Sequence, residues 1–246
     1  MLRVLIRFGL MSLGINPQKY SGINSPFDYG EVLQTGYVDT KLLLEAYRKY
    51  LLENKLLLQE TFDYQSIQFH DDFIEYKQLK AKHIIFAEGF GLHANPYFNY
   101  LPLDGTKGEL FIIKAPQLNL DVIINTSVFI LPLGNDLFKV GATYNWQDKT
   151  NIPTEDGKKE LLDRIHEILD CEFEILDHFA GVRPTVRDRK PLIGTHPKFP
   201  QLHLLNGLGT RGVMLGPSMA IELFDSIEHQ KPLDKAIDIK RYEKKM

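Results

Sequence analysis

The chain has 246 residues, of which 43% are hydrophobic and 25% are charged, and these proportions agree with a soluble, enzyme-like body. A chain of this length can bury about three quarters of its unfolded surface, which suits one large domain or two interleaved ones. The formal net charge of −3 argues against a general nucleic-acid binder, because no basic stripe offsets the acidic residues.

The N-terminal residues 1–14 are apolar but predict no membrane span. Arg7 interrupts the run, which is shorter than the roughly 18 to 20 residues needed to cross a bilayer. The run has some features of a signal peptide, but the A-x-A exit is missing, so we interpret it as an orphaned strand or helix. The single Cys171 excludes an internal disulfide and a cysteine zinc cluster, and a reducing cytoplasm is the expected location.

The next segments predict the α/β half of the chain. Asp39 can cap a helix over residues 40–54, in which apolar side chains recur at helical spacing. These side chains are Leu42, Leu43, Ala46, Tyr47, Tyr50 and Leu51. Residues 56–76 predict short strands with turns between them, and residues 82–86 predict a buried strand.

From residue 97 onward the pattern indicates an antiparallel meander. Segments rich in Ile, Val, Leu and Phe alternate with turn residues. The predicted strands are 109–115, 122–126, 128–132 and 138–143. Thr154 precedes a helix through Leu169, and residues 173–180 predict a further strand. Because no linker marks a clean boundary, we expect a mixed α/β (α+β) fold with two interleaved domains.

The most informative stretch lies near the C terminus. Its motifs are G-V-R-P at 181–184, R-D-R-K-P-L-I-G at 187–194 and G-L-G-T-R-G at 207–212. An apolar strand at 202–205 runs into the last motif, and residues 213–227 follow it with helical spacing. Backbone amides in such a turn suit the oxygen atoms of a ligand. A pyrophosphate site needs a second parallel strand and an acidic residue after the helix, whereas here the helix leads into a charged stretch, in which residues 240–245 are predicted to be a solvated tail.

In this order, the motifs resemble the C-terminal third of the D-amino-acid oxidase and glycine oxidase family of flavoproteins. The resemblance extends upstream through Gly36-Tyr37-Val38-Asp39, a strand ending at Ala87-Glu88-Gly89, and Lys107-Gly108-Glu109-Leu110. Family members open with a strand, a G-x-G-x-x-G turn and a helix that hold the ADP half of FAD. Residues 1–14 do not match that pattern, so we expect that the first segment is missing and that the chain alone binds FAD weakly.

The resemblance implies a domain organisation as well. It implies a partial FAD/NAD(P)-binding-like layer interleaved with an antiparallel-sheet substrate domain. The expected partial FAD-binding domain is 1–95, the expected substrate domain is 96–182, and residues 183–246 are expected to return to the FAD-binding domain.

Arg183 and the glycine turn are the strongest site candidates that the resemblance implies. Arg183 would hold the substrate carboxylate over the flavin, since its planar fork can bind a carboxylate bidentately; the alternative is an ion pair within a loop. Gly207, Gly209 and Gly212 would lie against the pyrimidine edge of the flavin, and the alternative is a plain tight turn. Thr210 and Arg211 complete this turn; Arg211 would add positive charge beside the flavin or a second carboxylate contact.

Further candidates lie upstream. Ala87 and Gly89 match the family's strand end that passes close to the cofactor, where a small residue permits backbone approach. Lys107 matches a basic residue that often lies near the flavin. Tyr144 and Trp146 could line a substrate pocket, although aromatic residues after a strand are more often part of the core. The scattered histidines show no zinc-ligand spacing, so no metal site is predicted.

The function that the resemblance implies is an FAD-dependent oxidation of a carbon–nitrogen bond in an amino-acid-like or secondary amine substrate, with hydride transfer to the flavin. The arginine and glycine motifs also look like the oxidase domain that removes carboxymethyl from a tRNA wobble uridine, which keeps a modified tRNA nucleoside open as substrate. The alternative is a truncated, non-catalytic remnant or interaction module. We expect no membrane partner and possible self-association through apolar faces and strand edges.

Overall fold

In the computed structural model, which describes residues 11–15, 20–24 and 29–245, the chain has a mixed α/β fold with antiparallel sheets, and the predicted fold class is confirmed. The described α-helices are α1 (Thr40–Glu53), α2 (Glu155–Ile168) and α3 (Gly212–Glu228). The described strands are β1 (Met11–Ile15), β2 (Tyr29–Val32), β3 (Ile67–Phe69), β4 (Ile74–Tyr76), β5 (Leu79–Ala81), β6 (Ile84–Phe86), β7 (Thr106–Lys114), β8 (Ile124–Asn125), β9 (Phe129–Gly134), β10 (Leu137–Gly141), β11 (Glu174–Arg183), β12 (Leu192–Thr195) and β13 (Leu202–Asn206). The predictions made for residues 1–10 lie outside the described residues.

The described residues form two compact units. The sheet unit comprises residues 107–182 with the described part of 1–37, and the glycine-turn unit comprises residues 38–106 and 183–246. The sequence placed residues 1–37 in the FAD-binding layer, but the structure groups their described part with the sheet unit. The reason is packing, because three of these side chains contact the core of that unit. They are Tyr20, Ile23 and Tyr29.

The sheet unit is built on a five-stranded sheet with the order β11-β7-β10-β9-β8. Strands β8, β9 and β10 form the predicted antiparallel meander, and β7 pairs antiparallel with β10, with Phe111 opposite Val140. Helix α2 covers one face with the apolar side chains of Leu161, Ile165 and Ile168, all of which are buried. The alternation of buried side chains along β7 therefore separates a core face, facing α2, from a more open face.

The glycine-turn unit contains a smaller sheet of order β12-β13-β6, in which β13 runs parallel to β6 and antiparallel to β12. A second three-stranded antiparallel sheet, β3-β4-β5, packs into the same core through Ile74 and Tyr76. Helix α3 follows β13 and buries Met219 and Leu223. The strand predicted at 82–86 is thus an edge strand among the described residues, which is why Ile85 is half exposed while Phe86 is buried.

Helix α1 forms where the sequence predicts it, and the Asp39 carboxylate accepts a hydrogen bond of 3.0 Å from the backbone N–H of Leu42. However, no residue of α1 is buried. Its apolar side chains are exposed instead, and Tyr47 stacks on Tyr50 with the ring centroids 6.1 Å apart. The helical periodicity of α1 therefore defines an apolar face that no other described element covers.

The segment 240–245, predicted as a solvated tail, is packed in part. Lys240 and Glu243 are exposed, whereas Arg241 and Tyr242 are half-buried in a 3-10 helix over Ile239–Lys245, whose first residue, Ile239, is 1% exposed. The Arg241 guanidinium donates to the carbonyl oxygen of Pro191 at 2.9 Å, and the Tyr242 hydroxyl lies 2.9 Å from an Asp188 carboxylate oxygen. Apolar burial at Ile239 and these bonds hold the segment on the unit, although its composition is mostly charged.

Candidate functional site

The carboxyl ends of the parallel strands β6 and β13 meet at one edge of their sheet. The side-chain amide of Asn206, the last residue of β13, donates to the carbonyl oxygen of Gly89 at 2.9 Å. Gly89 has a φ of +59°, and an added Cβ would meet nothing within 4 Å. Ala87 is exposed beside it. Ligands bind at this edge in open α/β sheets, and the cofactor contacts of Ala87 and Gly89 stay predictions.

The glycine turn begins at the same edge. Gly207 has a φ of +70°, and a Cβ there would lie 2.8 Å from Val186 Cγ2 and 3.1 Å from Leu192 Cγ, so both backbone conformation and packing demand glycine. Gly209 has a φ of +56° and also favours glycine. Helix α3 starts at Gly212, and no side chain caps its described N terminus. A helix start without a capping side chain suits a ligand with negative or carbonyl oxygens.

Arg183 is the last residue of β11, and the chain after it is fastened to the glycine turn. The N–H of Gly209 donates to the carbonyl oxygen of Pro184 at 3.0 Å. The carbonyl oxygen of Thr185 accepts from the N–H groups of Asp104 at 2.8 Å and Gly105 at 3.2 Å. Arg183 is half-buried. A backbone fixed at these points holds the origin of the Arg183 side chain steady, as a bidentate carboxylate clamp requires.

Arg211 and Thr210 are both exposed within the 3-10 helix Gly209–Arg211. The Arg211 guanidinium donates a short hydrogen bond to the carbonyl oxygen of Arg189, so it is already anchored to the R-D-R-K-P loop. Gly212 leaves space, because an added Cβ would be 3.8 Å from Leu208 Cβ. The contacts of these three residues with a cofactor or substrate stay predictions.

Sequence reasoning missed Glu88, which lies between the two small residues at the end of β6. Its carboxylate accepts from the Asn95 side-chain amide at 2.8 Å and from the Tyr64 hydroxyl. Burial, and then the bond to Glu88, raise the pKa of Tyr64 above its usual range, so this hydroxyl remains a donor. Glu88 is thereby bound within its own unit. An acidic residue in an A-x-G motif is the only signal that could have drawn attention to it.

Lys107 and Tyr144 belong to the sheet unit. Lys107 is 1% exposed, and its ammonium lies 2.5 Å from Asp148 Oδ2 and 3.4 Å from Glu109 Oε1, with a further short bond to the carbonyl oxygen of Ile152. Tyr144 is 58% exposed, so it is not part of the core. The predicted flavin contact of Lys107 stays a prediction; its ammonium donates to protein oxygens.

His83 and His203 form a contact between two titratable rings in the glycine-turn unit. His83 Nδ1 lies 3.0 Å from His203 Nε2, and His203 Nδ1 lies 2.9 Å from Thr195 Oγ1. Burial, and then the charge of His83, lower the pKa of His203 to about 4. Throughout the described ranges, no group of three or more His, Cys, Asp or Glu side chains could hold a metal ion. Among the same residues, no helix is long and apolar enough to cross a bilayer.

Residues 18–225 match the model of a family described as FAD dependent oxidoreductase, abbreviated DAO. The chain belongs to this family. The match includes every predicted site residue from Ala87 to Gly212, and it confirms the resemblance that the glycine and arginine motifs carry. FAD is accordingly the family's cofactor. The residues at the β6–β13 edge fit such a group, because Gly89 leaves open space there and no side chain caps the helix that follows the glycine turn.

The chain is also similar to individual curated proteins and to solved structures. It is 22% identical over 223 residues to glycine oxidase from Bacillus subtilis, covering 84% of this chain and 60% of that protein. It is 26% identical over 170 residues to the tRNA 5-methylaminomethyl-2-thiouridine biosynthesis bifunctional protein MnmC from Marinobacter nauticus, covering 63% of this chain and 27% of that protein. The structure of glycine oxidase from Bacillus cereus aligns with a TM-score of 0.76 at 17% identity, covering 94% of this chain and 69% of that one, which shows a shared fold. The chain thus spans about 60% or less of these two curated relatives.

Proposed function

We propose that this member of the FAD-dependent oxidoreductase family oxidises a carbon–nitrogen bond of an amino-acid-like or secondary amine substrate, in the cytoplasm. The observation that carries the proposal is the fastening of the Arg183 strand end to the glycine turn, through the bond from Gly209 N–H to the Pro184 carbonyl oxygen. A carboxylate-binding residue and a cofactor-binding turn are then held in fixed register within one unit. The similarity to glycine oxidase supports the choice of substrate class.

In the proposed mechanism, Arg183 binds the substrate carboxylate through two parallel N–H donors and so orients the carbon–nitrogen bond. FAD, when bound, supplies the acceptor for the hydride, after which the imine product hydrolyses in water. The uncapped amides at the start of α3 and the positive end of its dipole stabilise negative charge at the adjoining edge of the ligand.

The proposal is tested with purified chain supplied with FAD. Amine oxidation is followed as reduction of an artificial dye, with sarcosine as the carboxylate substrate and N-methylethylamine as the comparison without a carboxylate. Loss of a charge-assisted bidentate contact corresponds to about 2 kcal/mol, so Arg183→Ala should raise the KM for sarcosine roughly 30-fold while the KM for N-methylethylamine stays within about twofold. Equal KM values for sarcosine in the parent and the variant would contradict the role of Arg183.

A modified tRNA nucleoside is a second candidate substrate, supported by the 26% identity to the bifunctional tRNA-modifying protein. A carboxymethylaminomethyl group carries the same secondary amine and carboxylate as sarcosine, so Arg183 would serve it in the same way. Competition separates the two: tRNA bearing that group should inhibit sarcosine oxidation at micromolar concentration only if the nucleoside is the substrate.

An interaction module without catalysis is the alternative from another class. The apolar surface of the glycine-turn unit favours it, because α1 buries no residue and Ile221 of α3 is 63% exposed. The test is a titration of FAD with the purified chain. If the chain does not change the fluorescence of FAD, FAD does not change the melting temperature of the chain, and no amine is oxidised, this alternative replaces the oxidase proposal.

A further inference from the structure

The loop of residues 144–154, between β10 and α2, is held at both ends by residues near the start of strand β7. Backbone hydrogen bonds join Lys107 and Asn145 in both directions, at 2.8 and 2.9 Å. At the other end, the N–H of Thr154 donates to Glu109 Oε2 at 3.0 Å and its hydroxyl donates to Glu109 Oε1 at 2.8 Å. The ends of this loop are therefore fixed by two residues of β7, Lys107 and Glu109, which are separated by one residue.

The middle of the 144–154 loop is fastened by the buried Lys107 ammonium. It binds Asp148 Oδ2 at 2.5 Å and the carbonyl oxygen of Ile152, and Thr150 Oγ1 lies 3.4 Å away. Asp148 in turn accepts from the backbone N–H of Thr150 at 2.7 Å. A lysine is almost never fully buried unless it is paired, so this ammonium keeps the loop closed over it. The bond to Lys107, followed by those to Thr150, lowers the pKa of Asp148 to about 2, and the carboxylate stays ionised down to strongly acidic pH.

The loop carries two exposed aromatic side chains on this fixed frame. Tyr144 is 58% exposed and Trp146 is 41% exposed. The Asn145 side chain between them accepts from the N–H groups of Gln147 and Asp148 at 2.8 and 3.0 Å, which turns the backbone locally. The loop is also joined to the strand that ends at Arg183, because Asn151 Oδ1 accepts from the N–H of Val182 at 3.1 Å. Rigid, exposed aromatic groups bind apolar or flat ligand groups at a low cost in conformational entropy.

We propose that Lys107 is a positioning residue of the sheet unit: through Asp148 it holds the 144–154 loop so that Tyr144 and Trp146 form a preformed aromatic wall for an apolar or flat substituent on an amine ligand. The proposal rests on the proposed function for its substrate. In this proposal Lys107 acts through the loop and not through the flavin contact predicted from the sequence. The proposal also explains why a buried ammonium is retained at a position where an apolar side chain would avoid the desolvation penalty.

Trp146 gives a direct measurement, because it is the only tryptophan in the chain. In Lys107→Met, Trp146 should become more mobile, with a lower fluorescence anisotropy and an acrylamide quenching constant raised about twofold. Lys114→Met is the matched control, because Lys114 lies on the same strand and is exposed. If Lys107→Met and Lys114→Met give the same quenching constant, the loop does not depend on Lys107 and the proposal is overturned.

Substrate selectivity tests the second part of the proposal, that Tyr144 and Trp146 form a wall for a substituent. With N-benzylglycine, which carries a flat apolar substituent, the KM of Lys107→Met should rise roughly tenfold, whereas the KM for glycine should stay within about twofold and kcat for both should hold. Equal increases for the two substrates would refute a wall for the substituent. If Lys107→Met does not fold, Asp148→Asn leaves the lysine beside Glu109 and weakens its hold on the loop, and the same pattern is expected.

A binding measurement distinguishes a failure of the oxidase proposal from a failure of the aromatic-wall proposal. Without any turnover, N-benzylglycine should still quench Trp146 fluorescence in the parent chain at concentrations where glycine does not, and Lys107→Met should weaken that binding roughly tenfold. Absence of this difference in the parent chain overturns the aromatic-wall proposal whether or not the chain oxidises amines.

Discussion

Gly157 lies where a methyl group would collide with a buried carboxylate. It is the third residue of α2, and its N–H donates to the Thr154 hydroxyl at 3.0 Å. An added Cβ would lie 2.4 Å from the Cδ and Oε2 atoms of Glu109 and 2.6 Å from Oε1. The Glu109 side chain cannot move away without loss, because both Thr154 groups bind it, Lys107 Nζ lies 3.4 Å from Oε1 and His178 Nε2 lies 2.8 Å from Oε2.

Two effects of opposite sign decide the outcome of Gly157→Ala. Helix propensity alone predicts a gain of up to about 1 kcal/mol. Overpacking costs about 1–3 kcal/mol, and displacing Glu109 from a charge-assisted hydrogen bond costs about 1.5–3 kcal/mol. We expect a net loss of about 2–4 kcal/mol in the free energy of unfolding of the sheet unit.

Urea unfolding followed by Trp146 fluorescence measures this loss, since Trp146 lies in the sheet unit. A variant more stable than the parent would refute the packing argument. A double-mutant cycle makes the test specific: in a Glu109→Ala background, Gly157→Ala should be neutral or stabilising, because the obstructing carboxylate is gone. An equal loss in both backgrounds would show that the obstruction is not Glu109.

Three further predictions follow from buried groups and exposed surfaces. Burial raises the pKa of Glu109, but the bonds of its carboxylate to Thr154 and Lys107 outweigh burial and lower the pKa below the ordinary value of 4.5. The contribution of this carboxylate to stability is therefore present above pH 4.5 and is lost as the pH falls through the lowered pKa. We expect Glu109→Gln to flatten the fall in the urea midpoint between pH 6 and pH 3. Gly207→Ala should lower stability by about 1–3 kcal/mol, because of its φ and its 2.8 Å approach to Val186, whereas Gly216→Ala, with 3.9 Å of clearance, should be neutral or stabilising by up to about 1 kcal/mol in thermal melts. Ile221→Glu, at an exposed position of α3, should reduce self-association in sedimentation velocity, and an unchanged sedimentation coefficient would exclude this face as the contact.

Elements with strong local signals could be predicted from the sequence. The Asp39 and Thr154 caps define the starts of α1 and α2 because each side chain accepts a hydrogen bond from its own first turn. The alternating apolar pattern after residue 97 predicts the meander because β-hairpin pairs are close in sequence. The order of the five-stranded sheet, with β7 beside β10 and β11 beside β7, depends on pairs far apart in the chain, and local patterns do not specify them.

The glycine turn was predictable for a local reason too. Positive φ angles at Gly207 and Gly209 follow from a strand that turns at once into a helix, and glycine is the residue that tolerates them. The fastening of this turn to Pro184 was not predictable from spacing, since it is a bond between backbone groups 25 residues apart. The roles of Arg183, Arg211 and Tyr144 came from the family resemblance and stay predictions.

The buried charges of β7 show what sequence patterns miss. Lys107 and Glu109 have the composition of a solvated turn, yet they are 1% and 3% exposed. Their burial depends on partners 40 or more residues away, Asp148 and Thr154, which supply the opposite charge and the hydrogen bonds. A charged residue and an apolar one at the same position differ in what must surround them, and only the tertiary structure shows that Lys107 is surrounded by oxygen atoms. Because those oxygen atoms belong to the loop that carries Tyr144 and Trp146, the same burial that hides Lys107 from a pattern search makes it a determinant of where the aromatic side chains stand.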